Sequence, residues 1–169
     1  KLALDRNIYL INYEYTWRIL DTLLDKSFNM VICDEAHRIK NPLAKQSKAC
    51  YALGDASKYR IALTGTPVLN TSLDAFGVMR FVEPSIFGES FYSFRNKHFK
   101  NVGSENSPIK IYVPRKGSEE VISNALYTRA LRFLKAQCLD LPEAIHLPNR
   151  VITLNPDQDR AYRNLQEEL

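Results

Sequence analysis

The 169-residue chain has no apolar run near the ~20 residues needed to span a bilayer, so a membrane-spanning helix is excluded and no membrane partner is expected. Its opening residues, Lys1-Leu2-Ala3-Leu4-Asp5-Arg6, lack the apolar core of a signal peptide. Cysteine is scarce. Cys33, Cys50 and Cys138 are odd in number and widely spaced, which excludes a disulfide framework and a zinc pattern and fits a reducing, intracellular setting. Glycine is scarce as well, and none of the six is followed by lysine, so these residues contain no Gly-Lys-Ser/Thr phosphate loop. There is no internal repeat and no low-complexity segment.

What remains is the composition of a soluble globular protein, 45% apolar and 25% charged, with enough length for one packed domain, or one domain with an appendage. The net charge of +4 is unevenly spread. Residues 86–135 hold nine Lys or Arg against four Glu, interleaved with Phe87, Phe91, Tyr92, Phe94, Phe99 and Tyr112. Such a segment can follow a phosphate backbone. It can equally be a solvated basic face whose aromatic rings turn into the core.

The pattern along the chain alternates. Residues 8–13 read as a strand, 15–24 as a helix with Trp17, Leu20 and Leu24 on one face, and 30–34 as a strand. A helix over 45–53 follows Asn41-Pro42 and ends at Gly54; a strand over 59–64 and a helix over 72–82 come next. This predicts an α/β fold with a parallel sheet, its short apolar strands covered on both faces. Beyond Pro84 the chain changes character. A helix is expected over 90–99, a polar loop or hairpin insertion over 101–117 built around residues 109–113, and a helix over 118–129. Pro142 and Pro148 bracket an extended connection, followed by a strand over 150–154. Asn155-Pro156-Asp157-Gln158 then starts a helix with an apolar face at Tyr162, Leu165 and Leu169.

The chemistry-bearing residues cluster at two strand ends. Asp34 and Glu35 follow the apolar run Met30-Val31-Ile32-Cys33. An Asp so placed can hold a hydrated Mg²⁺, which takes one or two carboxylates beside substrate phosphates. The next carboxylate can activate an attacking water. A surface turn that happens to be acidic is the plainer alternative. The second strand ends in Thr64-Gly65-Thr66-Pro67, where Gly65 permits a turn that other residues resist and the hydroxyls can reach the acidic loop. An ordinary strand-ending turn reads the same way. His98 and His146 read as packing or surface residues, and Cys33 as a buried apolar residue of its strand.

Taken together, Asp34-Glu35-Ala36-His37-Arg38-Ile39-Lys40-Asn41 and Leu63-Thr64-Gly65-Thr66-Pro67-Val68-Leu69-Asn70 closely resemble motifs II and III of superfamily-two helicases, in the form used by Swi/Snf-type DNA translocases. Ile11-Asn12-Tyr13-Glu14 resembles a divergent motif Ib, and Phe81-Val82-Glu83-Pro84, Leu131-Arg132-Phe133-Leu134-Lys135 and Gln158 with Tyr162 resemble further segments, so the likeness runs through nearly the whole chain.

The resemblance implies a partial RecA-like P-loop NTPase domain carrying a mainly helical protrusion. Residues 1–85 would be the carboxyl-terminal part of a first ATPase lobe, 86–149 the protrusion with its basic face, and 150–169 a strand and helix leading towards a second lobe. It implies ATP and Mg²⁺ as cofactors and double-stranded DNA as partner. Asp34 would hold Mg²⁺ through water and Glu35 would activate the nucleophile, with His37 beside the nucleotide. His37, Thr64, Gly65 and Thr66 would couple nucleotide state to DNA. Lys40, Asn41 and Asn70 take DNA-side or structural roles such as helix capping, and Arg95, Lys97 and Lys100 are candidate nucleic-acid contacts. Asn12 departs from the hydroxyl residue usual in motif Ib.

Because the chain lacks an initiator Met and a phosphate loop, it is expected to be a piece of a longer polypeptide. The phosphate loop would lie upstream and a second lobe downstream, and the piece alone would be inactive. A strand-separating helicase, a restriction- or phage-system motor, and a non-catalytic DNA- or protein-binding module remain alternatives. A cytoplasmic or nucleoid setting in a prokaryote or phage is favoured, with a nuclear one for a eukaryote.

Overall fold

A computed structural model describes residues 6–65, 71–103, 110–133 and 153–167. The chain divides into two compact units, Lys1–Leu131 and Arg132–Leu169.

In the first unit, β1 (Met30–Cys33) and β2 (Tyr59–Ala62) pair in parallel, with Ile32 opposite Ile61 and Cys33 opposite Ala62. Helix α3 (Lys45–Asp55), the third after α1 (Tyr13–Thr16) and α2 (Leu20–Leu24), makes the crossover between the strands. It runs past Gly54 rather than ending there. Gly54 serves packing instead: a Cβ at this position would lie 3.0 Å from the Phe81 ring. Helix α4 (Ala75–Val82) packs on the same face of the sheet as α3, and Cys33, Ile39, Cys50, Tyr51, Val78 and Phe81 close a core between them. The opposite face is open. Ile32 is 54% and Ile61 40% exposed, with Met30 and Tyr59 beside them. The expectation of strands covered on both faces is therefore not met among the described residues, because both helices lie on one side.

The amino-terminal expectations also need correction. Residues 8–12 form no strand, and Tyr13 opens α1. Asn12 is the reason: its side-chain Oδ1 accepts the Tyr15 N–H at 2.9 Å, and an Asx cap of this kind turns the chain into a helix. The single helix expected over 15–24 is broken by a 3₁₀ turn, Trp17–Ile19, where Ile19 leaves helical geometry at φ −121°, ψ 24°. Its buried residues are Thr16 and Leu23, not the expected face of Trp17, Leu20 and Leu24.

A second core lies on the other side of α4. Ala75, Phe76 and Met79 meet Phe94 of α6 (Phe91–His98), Phe99 of β3 (Phe99–Asn101), and Ile122 and Leu126 of α7 (Ser118–Tyr127); α5 (Pro84–Phe87) adds Ile86 and Phe87. Helix α4 thus serves both cores from one short stretch. The expected hairpin exists, with β3 antiparallel to β4 (Tyr112–Pro114). Of the six interleaved aromatic residues only Tyr92 is exposed; the others pack in or against this core. The rings of this segment, Tyr92 apart, therefore turn inward.

In the second unit, α8 (Pro156–Glu167) begins as its sequence requires. The Asn155 side chain accepts the Gln158 N–H at 2.9 Å, and the Asn155 N–H donates to Gln158 Oε1 at 3.2 Å, a reciprocal capping box. Residues 153 and 154 are not in a strand, and the rest of the strand expected over 150–154 lies outside the described residues, as do His146 and Cys138.

Candidate functional site

The site is built where the two parallel strands end. The Leu63 N–H donates to the Cys33 carbonyl at 2.9 Å, and the Ala36 N–H donates to the Leu63 carbonyl at 2.8 Å. These bonds stitch the acidic loop after β1 to the segment after β2. The loop that carries Asp34 and Glu35 is thereby bonded on both sides to Leu63, the residue before Thr64 and Gly65.

The loop turns sharply. Glu35 adopts the left-handed conformation, φ 47° and ψ 51°, which side chains other than glycine seldom take. Asp34 supports it by accepting the Glu35 N–H on Oδ1 at 2.9 Å. A 3₁₀ turn, Ala36–Ile39, follows, and its fully buried Ala36 and Ile39 anchor the loop in the first core. The Tyr51 hydroxyl donates to the Ile39 carbonyl at 3.2 Å. The result is a pair of solvent-facing carboxylates on a fixed backbone. The Glu35 side chain is 64% exposed, and its Oε2 lies 3.2 Å from Nδ1 of His37.

Contacts from the amino-terminal helix complete the loop. The Tyr13 hydroxyl donates to the Asp34 carbonyl at 2.6 Å. Arg38 pairs with Glu14 and sits over the Tyr13 ring, 5.8 Å from its centroid. Beneath, Cys33 and Cys50 are free, buried thiols; the hydrogen bond they share, together with burial, pushes the Cys50 thiol above its usual range. Burial likewise raises the Tyr13 phenol, so it keeps its proton.

The remaining candidates separate. Lys40 Nζ lies 3.4 Å from Asp74 Oδ2, and the Asn41 side chain accepts the Leu43 N–H at 3.0 Å in an Asx turn before α3. Gly65 is not in a left-handed conformation, and a Cβ there would meet nothing within 4 Å among the described residues; the rest of the turn expected at Thr64-Gly65-Thr66-Pro67 lies outside them. Thr66 and Asn70 lie outside the described residues; the cap of the next helical segment is Thr71, whose hydroxyl accepts the Leu73 N–H. Arg95 sits over three rings, 4.2 Å from the centroid of Tyr112, 5.1 Å from Tyr92 and 5.8 Å from Phe91, and is half-buried. Lys97 and Lys100 face solvent.

No group of three or more His, Cys, Asp or Glu converges on a metal position among the described residues. A lone exposed Asp with one oxygen already accepting an N–H suits Mg²⁺, which keeps its waters and takes its other ligands from phosphate. The residues that motif reasoning overlooked are Tyr13 as an anchor of the loop, Arg38 with Glu14, and Gly77 beneath the turn. Their contacts join segments 21 to 38 positions apart, and no local spacing reports them.

Comparison with known proteins adds to this geometry. The SNF2-related domain family matches residues 1–167. The chain is 39% identical over 89 residues to human DNA repair and recombination protein RAD54B, a match covering 53% of the chain and 10% of that protein. It is 50% identical over 64 residues to Neurospora crassa DNA repair protein rad5, covering 37% and 5%. The Sulfolobus solfataricus SWI2/SNF2 ATPase core in complex with dsDNA superposes at a TM-score of 0.57 and 32% identity, over 92% of this chain and 31% of that one. The chain therefore spans a small part of these relatives. Both curated relatives are from eukaryotes, which lends no support to the prokaryotic or phage setting expected from sequence.

Proposed function

The chain belongs to the SNF2-related domain family, with a partial RecA-like fold, and from that membership we propose that it supplies the acid-bearing half of the ATPase site of a motor acting on double-stranded DNA. The observation that carries this reading is the presentation of Asp34 and Glu35: adjacent, exposed carboxylates at the carboxyl end of a parallel strand, on a loop bonded to the end of its neighbour. In open parallel sheets ligands bind at that end.

Asp34 would hold the waters of a magnesium ion. Mg²⁺, when bound, neutralises charge on the transferring phosphoryl group. Glu35 would accept a proton from the attacking water, and His37, in contact with the Glu35 carboxylate, would orient it. Thr64 and Thr66, following the neighbouring strand, would pass the state of this site to the DNA-binding surface.

The phosphate loop and a second lobe would come from other parts of the same polypeptide, and without them these residues would turn over ATP at a negligible rate. The open apolar face of the sheet at Ile32 and Ile61 supports this, since parallel sheets are ordinarily covered on both sides. Residues 86–149 would form a protrusion on the first lobe. Its exposed Lys97 and Lys100 are better placed for phosphate contact than Arg95. With eukaryotic DNA repair proteins as relatives, a nuclear location is the one we favour.

The test is Glu35→Gln in the full-length protein. DNA-stimulated hydrolysis is expected to fall by at least about 10²-fold while ATP still binds. Unchanged turnover would remove Glu35 from the mechanism.

A further inference from the structure

The acid pair sits on a backbone that needs external support. Glu35 occupies a left-handed conformation, which is unfavourable for a non-glycine residue and persists only where its surroundings enforce it. On one side the enforcement is the Ala36 to Leu63 bond. On the other it is the Tyr13 hydroxyl, which donates at 2.6 Å to the carbonyl of Asp34, the residue immediately before the strained one.

The phenol is itself held. Its ring packs against the core that contains Cys33 and Cys50. The guanidinium of Arg38 covers its outer side, 5.8 Å from the centroid, and is tied down by the ion pair with Glu14, the residue next to Tyr13. The Arg38 carbonyl in turn accepts a bond from Gln46 Nε2 at 3.1 Å. Residues 13 and 14 and residues 34 to 38 therefore close a ring of contacts: Tyr13 to Asp34, along the chain to Arg38, and back through Glu14. The ring uses neither carboxylate; Asp34 Oδ1 accepts the Glu35 N–H, and Glu35 Oε2 lies beside His37.

We propose that Tyr13 is a positioning residue for the acid pair, its hydroxyl fixing the Asp34 carbonyl and with it the directions in which the Asp34 and Glu35 carboxylates point. This rests on the reading of Asp34 and Glu35 as the hydrolytic pair. Displacement of about 1 Å in a reacting group is enough to lower a rate by orders of magnitude. Removing the hydroxyl leaves the Asp34 carbonyl without its donor and the loop free to shift.

The experiment is Tyr13→Phe in the full-length protein, beside wild type and Glu35→Gln. The substitution keeps the ring, its core packing and its stack with Arg38, and removes the hydroxyl with its bond to the Asp34 carbonyl and its contact with the Cys33 thiol. The expected result is a kcat for ATP hydrolysis lowered about tenfold, the worth of one such bond at the reacting groups. Nucleotide dissociation constants should stay within about twofold of wild type. In hydrogen–deuterium exchange, amides of residues 34–38 should exchange faster while those of α3 stay unchanged. A kcat within about twofold of wild type overturns the inference. So does a fall in kcat accompanied by a lower Tm and faster exchange throughout α3, which would mark a merely structural tyrosine. If Glu35→Gln retains turnover, the hydrolytic reading itself has failed, and the two failures are distinguishable. Should Tyr13→Phe not fold, Glu14→Gln carries the test. It keeps the hydroxyl and releases Arg38, and the same local exchange with a smaller loss of kcat is expected; no change in either overturns the proposal.

Discussion

A Cβ added to Gly77 would lie 2.4 Å from the carbonyl oxygen of Ile39. Helix α4 rides directly on the backbone of the turn that follows the acid pair, and the carbonyl of Lys40 would be only 2.5 Å away as well. The obstruction is backbone, which cannot rotate aside as a side chain can. Gly77→Ala is expected to destabilise the fold by about 1–3 kcal/mol, although alanine is the better helix former. Denaturant unfolding checks this: an unchanged midpoint would mean that the helix and the turn can separate at no cost.

Arg95 and its basic neighbours should behave differently on substitution. Arg95 lies over Tyr112, Tyr92 and Phe91, so Arg95→Ala is expected to cost about 1–2 kcal/mol of stability through lost packing and cation–π contact. Lys97→Ala with Lys100→Ala should leave stability nearly unchanged and lower the salt slope of duplex binding by up to about two. Binding isotherms of the full-length protein at several salt concentrations decide it, and a flatter slope for Arg95→Ala alone would reverse the assignment.

Lys40 offers a similar choice. Its ammonium lies 3.4 Å from Asp74 at the start of the α4 segment, and both groups are largely shielded from solvent. Lys40→Met is expected to lower stability by about 1 kcal/mol and to leave duplex affinity unchanged. A weakened affinity with full stability would return Lys40 to the DNA side.

His98 makes the stability of the second core depend on pH. The imidazole is buried against Phe94, and burial, with the nearby charge of Lys97, lowers its pKa. Below the ordinary histidine value of about 6.5 the unfolded chain binds the proton more readily than the folded one. The stabilising contribution of neutral His98 is therefore complete above about pH 6.5 and is lost as the pH falls through the folded-state value. Tm should decline from pH 7 towards pH 5.5, and His98→Asn should decline less steeply over that range.

What could be read from sequence was what depends on near neighbours. The Asn155 and Gln158 capping box forms as its spacing required, and the apolar run ending in two carboxylates is a strand ending in an exposed acidic loop. Residues 8–11 form a short apolar run as a strand would, yet the Asn12 cap and the lack of a pairing partner among the described residues leave them irregular. Gly54 reads as a helix end and Gly65 as a turn residue, whereas the helix runs on to Asp55 with Gly54 packed against Phe81, and Gly65 itself has no left-handed backbone. The contacts of Tyr13 and Gly77 had no local signal for one reason: each is made with a backbone carbonyl far away in the chain, and a carbonyl has no sequence signature.

With the role proposed for its carboxylate, the left-handed backbone at Glu35 would set stability and activity against each other at a single position. Glycine there would relieve the strain and, on that ground alone, strengthen the fold. Variants selected only for resistance to heat should therefore accumulate glycine at position 35, and the most robust of them would lack the carboxylate proposed to activate water.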